Sequence, residues 1–275
     1  GYAAASSAGN DFYLSNAATL DHPIPPSLTA VDLDNDTYID TVYFGNTGGH
    51  MFKLNVANPL TTTWVPQLLF QGDSTKPIYL SPSVSYDQCY KLWLHFGSGN
   101  RNAPQSGVEG QFVAMRDQST ITYPLTTANL QELSWSSDVT NATSDTSKSG
   151  WYFDLLDPGE ILFDPDPVIV PDNSVPYLYF NTYQPSTVVV GGDPCGTGGN
   201  MHIYSITLPY CASNGAYTFS GIREAGRISG GGLYGSDSYL MYVGTSQTGS
   251  ITIKEFKEST MQYPGGVFYF KEVIR

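Results

Sequence analysis

The chain is poor in positive charge. It contains 12 Lys and Arg residues against 25 Asp and Glu, which gives a formal net charge of −13 over 275 residues. Nucleic-acid binding depends on Lys and Arg that neutralise phosphates, and docking on anionic lipid makes the same demand. The composition therefore argues against nucleic acid and anionic membranes as partners, and it favours cations.

Long apolar runs are also missing. No hydrophobic stretch reaches about 18 residues, so no membrane span is predicted. The sequence opens "GYAAASSAGN", without Met and without a basic-then-apolar signal segment, and we expect a processed or excised chain. Sparse Lys and abundant Ser, Thr, Asn and Tyr are typical of exported proteins, so we expect an extracellular location.

Cysteine is scarce and odd in number: the chain has Cys89, Cys195 and Cys211. One of them is left unpaired, or bonded to something outside the chain. Cys195 and Cys211 bracket one predicted strand, and a disulfide between them would staple that strand to its neighbour. Separation in sequence does not show that their Cβ atoms meet, so this pairing and the state of Cys89 stay open.

Motifs for nucleophilic catalysis and zinc binding are absent from the sequence. No G-x-S-x-G occurs, and Ser98 in "FGSGNR" has glycines on both sides, which is typical of a turn. The histidines show no paired ligand spacing, and we interpret them as surface or packed residues. They are His22, His50, His95 and His202.

Carboxylates cluster beside prolines in "FDLLDPGE" and "FDPDP". The prolines suggest rigid turns, and a cleft with two facing carboxyl groups cannot be identified from sequence. We therefore expect a protein that is not an enzyme, with a second cation site as a lesser alternative here. The residues are Asp154, Asp157, Glu160, Asp164 and Asp166.

The sequence is rich in residues that favour strands and turns. Tyr (20), Gly (28) and Pro (18) are plentiful, together with Thr and Val, and this predicts an all-β fold with many turns. The best helix candidate, "TTANLQELSW", is short and falls in a predicted connecting loop. Trp93 and Phe96 fall inside predicted strands, so we expect most aromatic residues to pack in the core.

One strand pattern recurs along the chain at intervals of about 50 to 80 residues. An apolar strand ends in an aromatic residue or Val, and a second strand resumes after a turn, as in "TVYFGNTGGHMFKLNV" and "SYLMYVGTSQTGSITIKEF". Short flanking strands, such as "SPSVSY", "PDPVIV" and "ISGGGLYG", bring each unit to three or four strands. Repeated units of this size predict a β-propeller.

Four blade-like units fill the chain. They span residues 26–60, 77–126, 150–222 and 225–275, after an N-terminal extension over 1–25. Four blades are the lower limit for a closed propeller, so either the propeller is small or further blades belong to a longer parent chain. A β-sandwich is the alternative, and it would need even strand spacing without a long-period repeat.

The stretch "DLDNDTYID" places carboxylates at alternate positions. In a twelve-residue calcium loop, oxygen ligands come from positions 1, 3, 5, 7 and 9, and position 7 uses its backbone carbonyl. Oxygen ligands without His or Cys select calcium over zinc or copper. Counted from the first acid, the predicted Ca²⁺ ligands are Asp32, Asp34, Asp36, Tyr38 through its carbonyl, and Asp40.

This loop departs from the helix-loop-helix form in three ways. Position 6 is Thr37 instead of Gly, position 12 is Tyr43 instead of Glu, and the flanks "SLTAV" and "TVYFG" alternate as strands do. We therefore predict a calcium loop within a β-hairpin, with an affinity on the order of 10⁻⁴ M. The alternative is an acidic turn that holds no metal.

The segment "AVDLDNDTYIDTVYFGNTGGHMFKLNV" resembles the calcium-loop blade of the PilY family of type IV pilus tip-associated biogenesis and adhesion proteins. Further segments resemble that family in order, which extends the resemblance from about residue 26 to 275. They are "KPIYLSPSV", "LWLHFGSGNR", "GWYFDLLDPGEILFDP", "DPCGTGGNMHIYSI" and "FYFKEVIR". Single motifs are weak, whereas the ordered series is specific.

The resemblance implies the C-terminal part of a seven-bladed propeller at the bacterial surface, with one Ca²⁺ that influences pilus extension and retraction. It implies pilus subunits or minor pilins, and host or abiotic surfaces, as partners. The preceding blades and the N-terminal adhesive region of that family are not in this sequence, and another chain or an N-terminal region would supply them. His50 stands where the family usually has a small polar residue, and no Arg-Gly-Asp occurs.

We expect a calcium-binding, non-enzymatic propeller that acts in pilus assembly, retraction control and surface attachment. Two alternatives remain from the sequence. One is an exported propeller enzyme of the glycosidase or quinoprotein type, which would need a carboxylate cluster or a cofactor in its central channel. The other is a subunit of a multi-chain surface filament.

Overall fold

The computed structural model shows an all-β protein. It describes residues 20–58, 64–87, 89–103, 106–170, 176–185, 199–208, 218–226, 233–236, 239–245 and 251–257, the last three by their backbone. These residues form four open sheets that follow one another along the chain, together with one short 3-10 turn, Thr127–Asn129. None of the helical segments described is long and apolar enough to cross a membrane.

The first sheet is a four-stranded antiparallel meander. Its strands are β1 (Thr29–Val31), β2 (Thr41–Gly45), β3 (Met51–Asn55) and β4 (Gln67–Phe70), in that order. Along β2 the side chains of Tyr43 and Phe44 are both buried although they point to opposite faces. The sheet is therefore covered on both faces at β2.

The second sheet is larger and includes one parallel edge strand. Its order is β5 (Ser83–Tyr86), β6 (Leu92–Gly97), β7 (Gln111–Asp117), β10 (Gly150–Asp154) and β8 (Gln131–Glu132). β8 runs parallel to β10, and the other pairs are antiparallel. Every residue of β6 is buried, so this strand is also covered on both faces.

The third sheet takes its edge strand from an earlier part of the chain. Its order is β11 (Ile161–Val170), β12 (Tyr177–Gln184), β13 (Asn200–Thr207), β14 (Thr218–Gly226) and β9 (Val139–Thr143). β9 lies in sequence between β8 and β10 of the second sheet, yet it pairs antiparallel with β14. The segment before β10 therefore joins the two sheets.

The fourth sheet contains three antiparallel strands. They are β15 (Leu233–Ser236), β16 (Tyr239–Thr245) and β17 (Ile251–Lys257). The register pairs Leu233 with Tyr242 and Tyr239 with Lys257.

Two hydrophobic clusters join the first three sheets face to face. One cluster contains Tyr43 and Met51 of the first sheet together with Leu94 and Phe96 of the second. The other contains residues of the second and third sheets, and in it the rings of Phe112 and Phe180 stack with centroids 4.0 Å apart. Trp93 and Phe96 are buried, which confirms that they pack in the core.

The first strands of these three sheets meet along one side. Thr29 Oγ1 of β1 donates to the carbonyl of Pro82, just before β5, at 2.6 Å. The backbone N–H of Ser81 donates to Asp166 Oδ1 of β11 at 2.9 Å, and Ser83 Oγ of β5 donates to the carbonyl of Pro167. Sheets stacked face to face, with their first strands adjoining, are compatible with propeller blades. The four sheets establish an all-β fold, and the propeller stays a prediction.

The sheets differ from the predicted units at two places. β4 lies beyond the predicted end of the first unit at 60, and β10, predicted to open the third unit, pairs with β7 in the second sheet. The turn at Pro158 and Gly159, where Gly159 has φ 73°, marks the real boundary. "TTANLQELSW" contains only the 3-10 turn and β8.

Cys89 is disulfide-bonded. The chain offers Cys195 and Cys211 as candidate partners, and both lie outside the described residues. A disulfide from Cys89 to either of them leaves no Cys195–Cys211 pair, the alternative that the sequence had left open.

Candidate metal-binding site

The acidic loop connects β1 to β2. Val31 pairs with Thr41 in the strand register, and the N–H of Asp40 donates to the carbonyl of Val31 at 3.0 Å. Residues 32–40 therefore form the connection of a β-hairpin, as the alternating flanks predicted. At the far end of the loop, the carbonyl of Asp40 accepts from the N–H groups of Val56 and Ala57, which anchors it to the segment after β3.

Side-chain oxygens of the loop cap its backbone. Asp32 accepts from the N–H of Asn35 at 2.6 Å and of Thr37 at 2.8 Å, and Asp40 Oδ2 accepts from the N–H of Leu33 at 2.6 Å. These are the local side-chain to backbone hydrogen bonds that Asp residues make in turns. The loop is therefore held in one compact conformation by the same residues that would bind a cation.

Three carboxylates converge in this loop. One oxygen from each of Asp32, Asp34 and Asp40 lies within 4.8 Å of the others. Asp36 is not in this group, and its Oδ1 accepts from the N–H of Tyr38 at 2.8 Å. Tyr38 is 74 % exposed.

The electrostatics of the loop differ from those of ordinary acidic turns. Desolvation and then the charges of Asp36 and Asp40 raise the pKa of Asp34. By contrast, hydrogen bonds from Ser147 lower the pKa of Asp145, an exposed acid that caps a turn elsewhere. Four acids within nine residues therefore repel one another, and a bound cation would relieve this repulsion.

Two residues of the loop that are not glycine adopt the left-handed backbone conformation. Asn35 has φ 64° and Thr37 has φ 78°. Asn tolerates this region, whereas a β-branched residue such as Thr is strained in it. Thr37 therefore adopts the left-handed conformation that suits Gly at position 6 of a helix-loop-helix calcium loop, at some cost in backbone energy.

The other predicted candidates lie in structural contacts. Ser98 Oγ exchanges hydrogen bonds with the backbone of Gln111, and Asp154 pairs with Lys76 at 2.5 Å. Asp166 accepts from the Ser81 N–H. The side chain of Asp164 lies outside the described residues.

Asp157 and Glu160 belong to a buried charged network that the sequence did not predict. Arg223 Nη2 contacts Glu160 at 3.2 Å, ion-pairs with Asp157, and lies 3.0 Å from His202 Nδ1. Burial alone would raise the pKa of Glu160, but hydrogen bonds from His202 and Thr182 and the Arg223 charge hold it below its ordinary value. Glu160 is fully buried, so this network acts as a structural tie.

A second group of possible metal ligands lies at the other end of β2. Asp21, His22 and His50 each place one ligand atom within 4.8 Å of the others. The histidines are far apart in sequence and have no ligand spacing, so sequence patterns could not have found this group. Burial lowers the pKa of His50, which keeps its ring neutral near pH 7.

His95 and His202 are packed, as the sequence predicted. His95 is fully buried, and burial lowers its pKa to about 3. Its ring stacks against Trp93 with centroids 6.4 Å apart.

No family model, no curated protein and no solved structure matches this chain. The resemblance to pilus-tip proteins therefore remains a prediction from the sequence motifs.

Proposed function

We propose that this chain is an extracellular, calcium-binding propeller region of a type IV pilus-associated protein of the PilY kind. It acts in pilus assembly, retraction control and surface attachment, without catalysing a reaction. Its partners are pilus subunits or minor pilins and a host or abiotic surface, and another chain or an N-terminal region supplies the remaining blades.

The observation that carries the proposal is the convergence of Asp32, Asp34 and Asp40 within 4.8 Å. Three carboxylate oxygens at this separation match the hard oxygen ligands that Ca²⁺ takes at about 2.3–2.6 Å each. The loop lies between two strands of an all-β protein, as the motif resemblance implies for the calcium blade. The carbonyl of Tyr38 and the carboxylate of Asp36 would complete the ligand set.

Calcium would act as a switch linked to the fold of one hairpin. Without the ion, mutual repulsion among the acids opposes the compact loop, whereas the bound ion makes this conformation favourable. The loop is anchored to β1 and to the segment after β3, so ordering it stabilises the outer end of the first sheet. A surface protein could thereby respond to extracellular calcium.

The test is a calorimetric titration of chelator-treated protein with CaCl₂. We expect one site with a Kd on the order of 10⁻⁴ M, weakened at least about tenfold by Asp34→Asn. Asp34 is the preferred position because its carboxylate accepts a long bond of 3.2 Å from the N–H of Asp36, whereas Asp40 accepts a shorter one of 2.6 Å from the N–H of Leu33. Asp145→Asn, in another exposed acidic turn, is the matched control and should leave binding unchanged.

The pilus assignment needs a separate experiment. Purified type IV pili should co-sediment with the protein in calcium, less with Asp34→Asn, and less after chelation. Equal co-sedimentation in calcium and in chelator would contradict calcium control of attachment.

An absence of heat in the calorimetric titration with CaCl₂ would show that the loop is only an acidic turn.

A further inference from the structure

His22, His50 and Asp21 meet where the segment before β1 contacts the turn between β2 and β3. The two imidazole rings are perpendicular, with centroids 6.0 Å apart. Asp21 Oδ1 lies 2.6 Å from His22 Nδ1. With one potential ligand atom from each residue inside a 4.8 Å group, the cluster has the size of a metal-binding site.

A rigid backbone framework fixes the two segments that carry these side chains. The N–H of Thr47 donates to the carbonyl of Pro23 at 2.9 Å, which ties the early segment to the turn. Fully buried Asn46 accepts the N–H groups of Gly48 and His50 through its side chain, both at 3.0 Å. The positions of His22 and His50 are therefore set by the fold.

Each histidine is held in a way that suits a ligand. His50 Nδ1 is buried, and no group among the described residues hydrogen-bonds to it. An unsatisfied buried nitrogen is costly, and a metal ion is one partner that would satisfy it. A Cβ at Gly48 would come within 2.8 Å of His22 Nδ1, so Gly48 provides the space in which the His22 ring packs.

We propose that His22, His50 and Asp21 bind a divalent first-row transition metal, with Zn²⁺ as the ion. Two imidazoles and one carboxylate form a borderline nitrogen and oxygen set that suits zinc and is unsuited to calcium. Three protein ligands leave the fourth tetrahedral position to water or to a group from a partner. The ion would clamp the segment before β1 to the first sheet.

The zinc site is separate from the acidic loop and does not depend on the proposed function. Residues 32–40 precede β2, whereas the turn that carries His50 follows it, so the two lie at opposite ends of the strand. Hard oxygen ligands gather at one end and imidazoles at the other. Each site can therefore be removed without touching the other.

The experiment is a titration of untagged, chelator-treated protein with ZnCl₂, followed by calorimetry and by competition with a chromophoric chelator. We expect one equivalent to bind to the wild type, and His50→Gln and His22→Gln each to weaken binding by more than about a hundredfold. The reason is that loss even of outer-shell partners costs about 10–100-fold in metal affinity. Gly48→Ala, which displaces the His22 ring, should also weaken binding.

Asp34→Asn is the matched control, because it alters the calcium loop alone and should leave zinc binding at the wild-type level. Substitution with Co²⁺ should give visible absorption bands that vanish in His22→Gln. Thermal unfolding without metal shows whether each variant still folds. If His50→Gln does not fold, His22→Gln replaces it, since the His22 side chain is 36 % exposed. Zinc binding that survives in both histidine variants, or that disappears in Asp34→Asn, would overturn the proposal, as would no binding to the wild type.

Discussion

The carboxylate of Asp34 opposes the compact loop in the absence of a cation. Its folded-state pKa is raised by desolvation and by neighbouring carboxylates, so its ionised form is less stable in the folded protein than in the unfolded chain. Without calcium, its charge therefore destabilises the hairpin above the unfolded pKa. If the loop binds calcium as we propose, the same charge is needed as a ligand.

We predict that Asp34→Asn shifts the melting temperature in opposite directions with and without calcium. In chelator at pH 7, the variant should melt slightly above the wild type, because one repelling charge is gone. In millimolar CaCl₂ it should melt below the wild type, because it has lost the stabilisation that ligand binding supplies. Differential scanning calorimetry in the two buffers measures both, and shifts of the same sign would contradict the prediction.

Thr37 gives a second residue-scale prediction. Its φ of 78° is strained for a β-branched side chain, by about 1–2 kcal/mol, and glycine adopts it freely. Thr37→Gly should therefore raise the free energy of unfolding by about 1 kcal/mol after the unfolded-state entropy of glycine is included. Asn35→Gly is the control and should gain less, because Asn tolerates φ 64°. Urea unfolding in chelator compares the three proteins, and a destabilised Thr37→Gly would argue against backbone strain.

At the scale of elements, the sequence predicted the main strands and the hairpin of the acidic loop. Dense apolar runs identified β2, β6 and β12, because most residues on both faces of these strands are buried. The predicted placement of β10 failed because pairing depends on which neighbour its Trp151 and Phe153 pack against, and a local pattern does not contain that information.

The two candidate metal sites also differ in whether a local sequence pattern reveals them. The convergence of Asp32, Asp34 and Asp40 was predictable because their carboxylates belong to one short loop. The cluster of His22 and His50 was not, because the fold creates that proximity from two separate segments. Asp36 illustrates the limit of spacing alone, since it has the predicted spacing but its carboxylate does not join the converging three.

The network at Glu160 gives a prediction for the third sheet. Because the folded pKa of Glu160 is lowered, its contribution to stability is fully present above the ordinary value of 4.5 and is lost as pH falls through the lowered pKa. Glu160→Gln should cost about 3 kcal/mol at pH 7, because it leaves the buried Arg223 short of a partner. The variant should also lose less stability than the wild type between pH 5 and about pH 3.

Urea unfolding at a series of pH values measures both effects. Glu132→Gln, at an exposed acid of the second sheet, is the control and should keep the wild-type pH dependence. If the free energy of unfolding of Glu160→Gln falls with pH as steeply as that of the wild type, protonation of Glu160 is not the cause of acid destabilisation.

At the scale of the whole molecule, shared cores make the first three sheets one mechanical unit. Phe180→Ala should lower the free energy of unfolding by about 3–5 kcal/mol, because the ring is buried and stacks on Phe112 of the neighbouring sheet. Amide exchange should then rise in both β7 and β12. Ile222→Ala, at a side chain that is 50 % exposed, should change stability by less than about 0.5 kcal/mol.

An exchange increase confined to the third sheet would contradict this prediction. It would indicate that the sheets unfold separately, as weakly coupled repeats do.

The position of β9 has a consequence for synthesis on the ribosome. Val139–Thr143 pairs with Thr218–Gly226, so the segment leaves the exit tunnel long before its partner strand has been translated. During that interval a nascent chain presents an unpaired strand edge to its neighbours, and exposed edges of this kind promote aggregation. Slow translation between Gly150 and Gly226 would prolong this exposure, and a chaperone that covers residues 139–143 would protect the chain until β14 arrives.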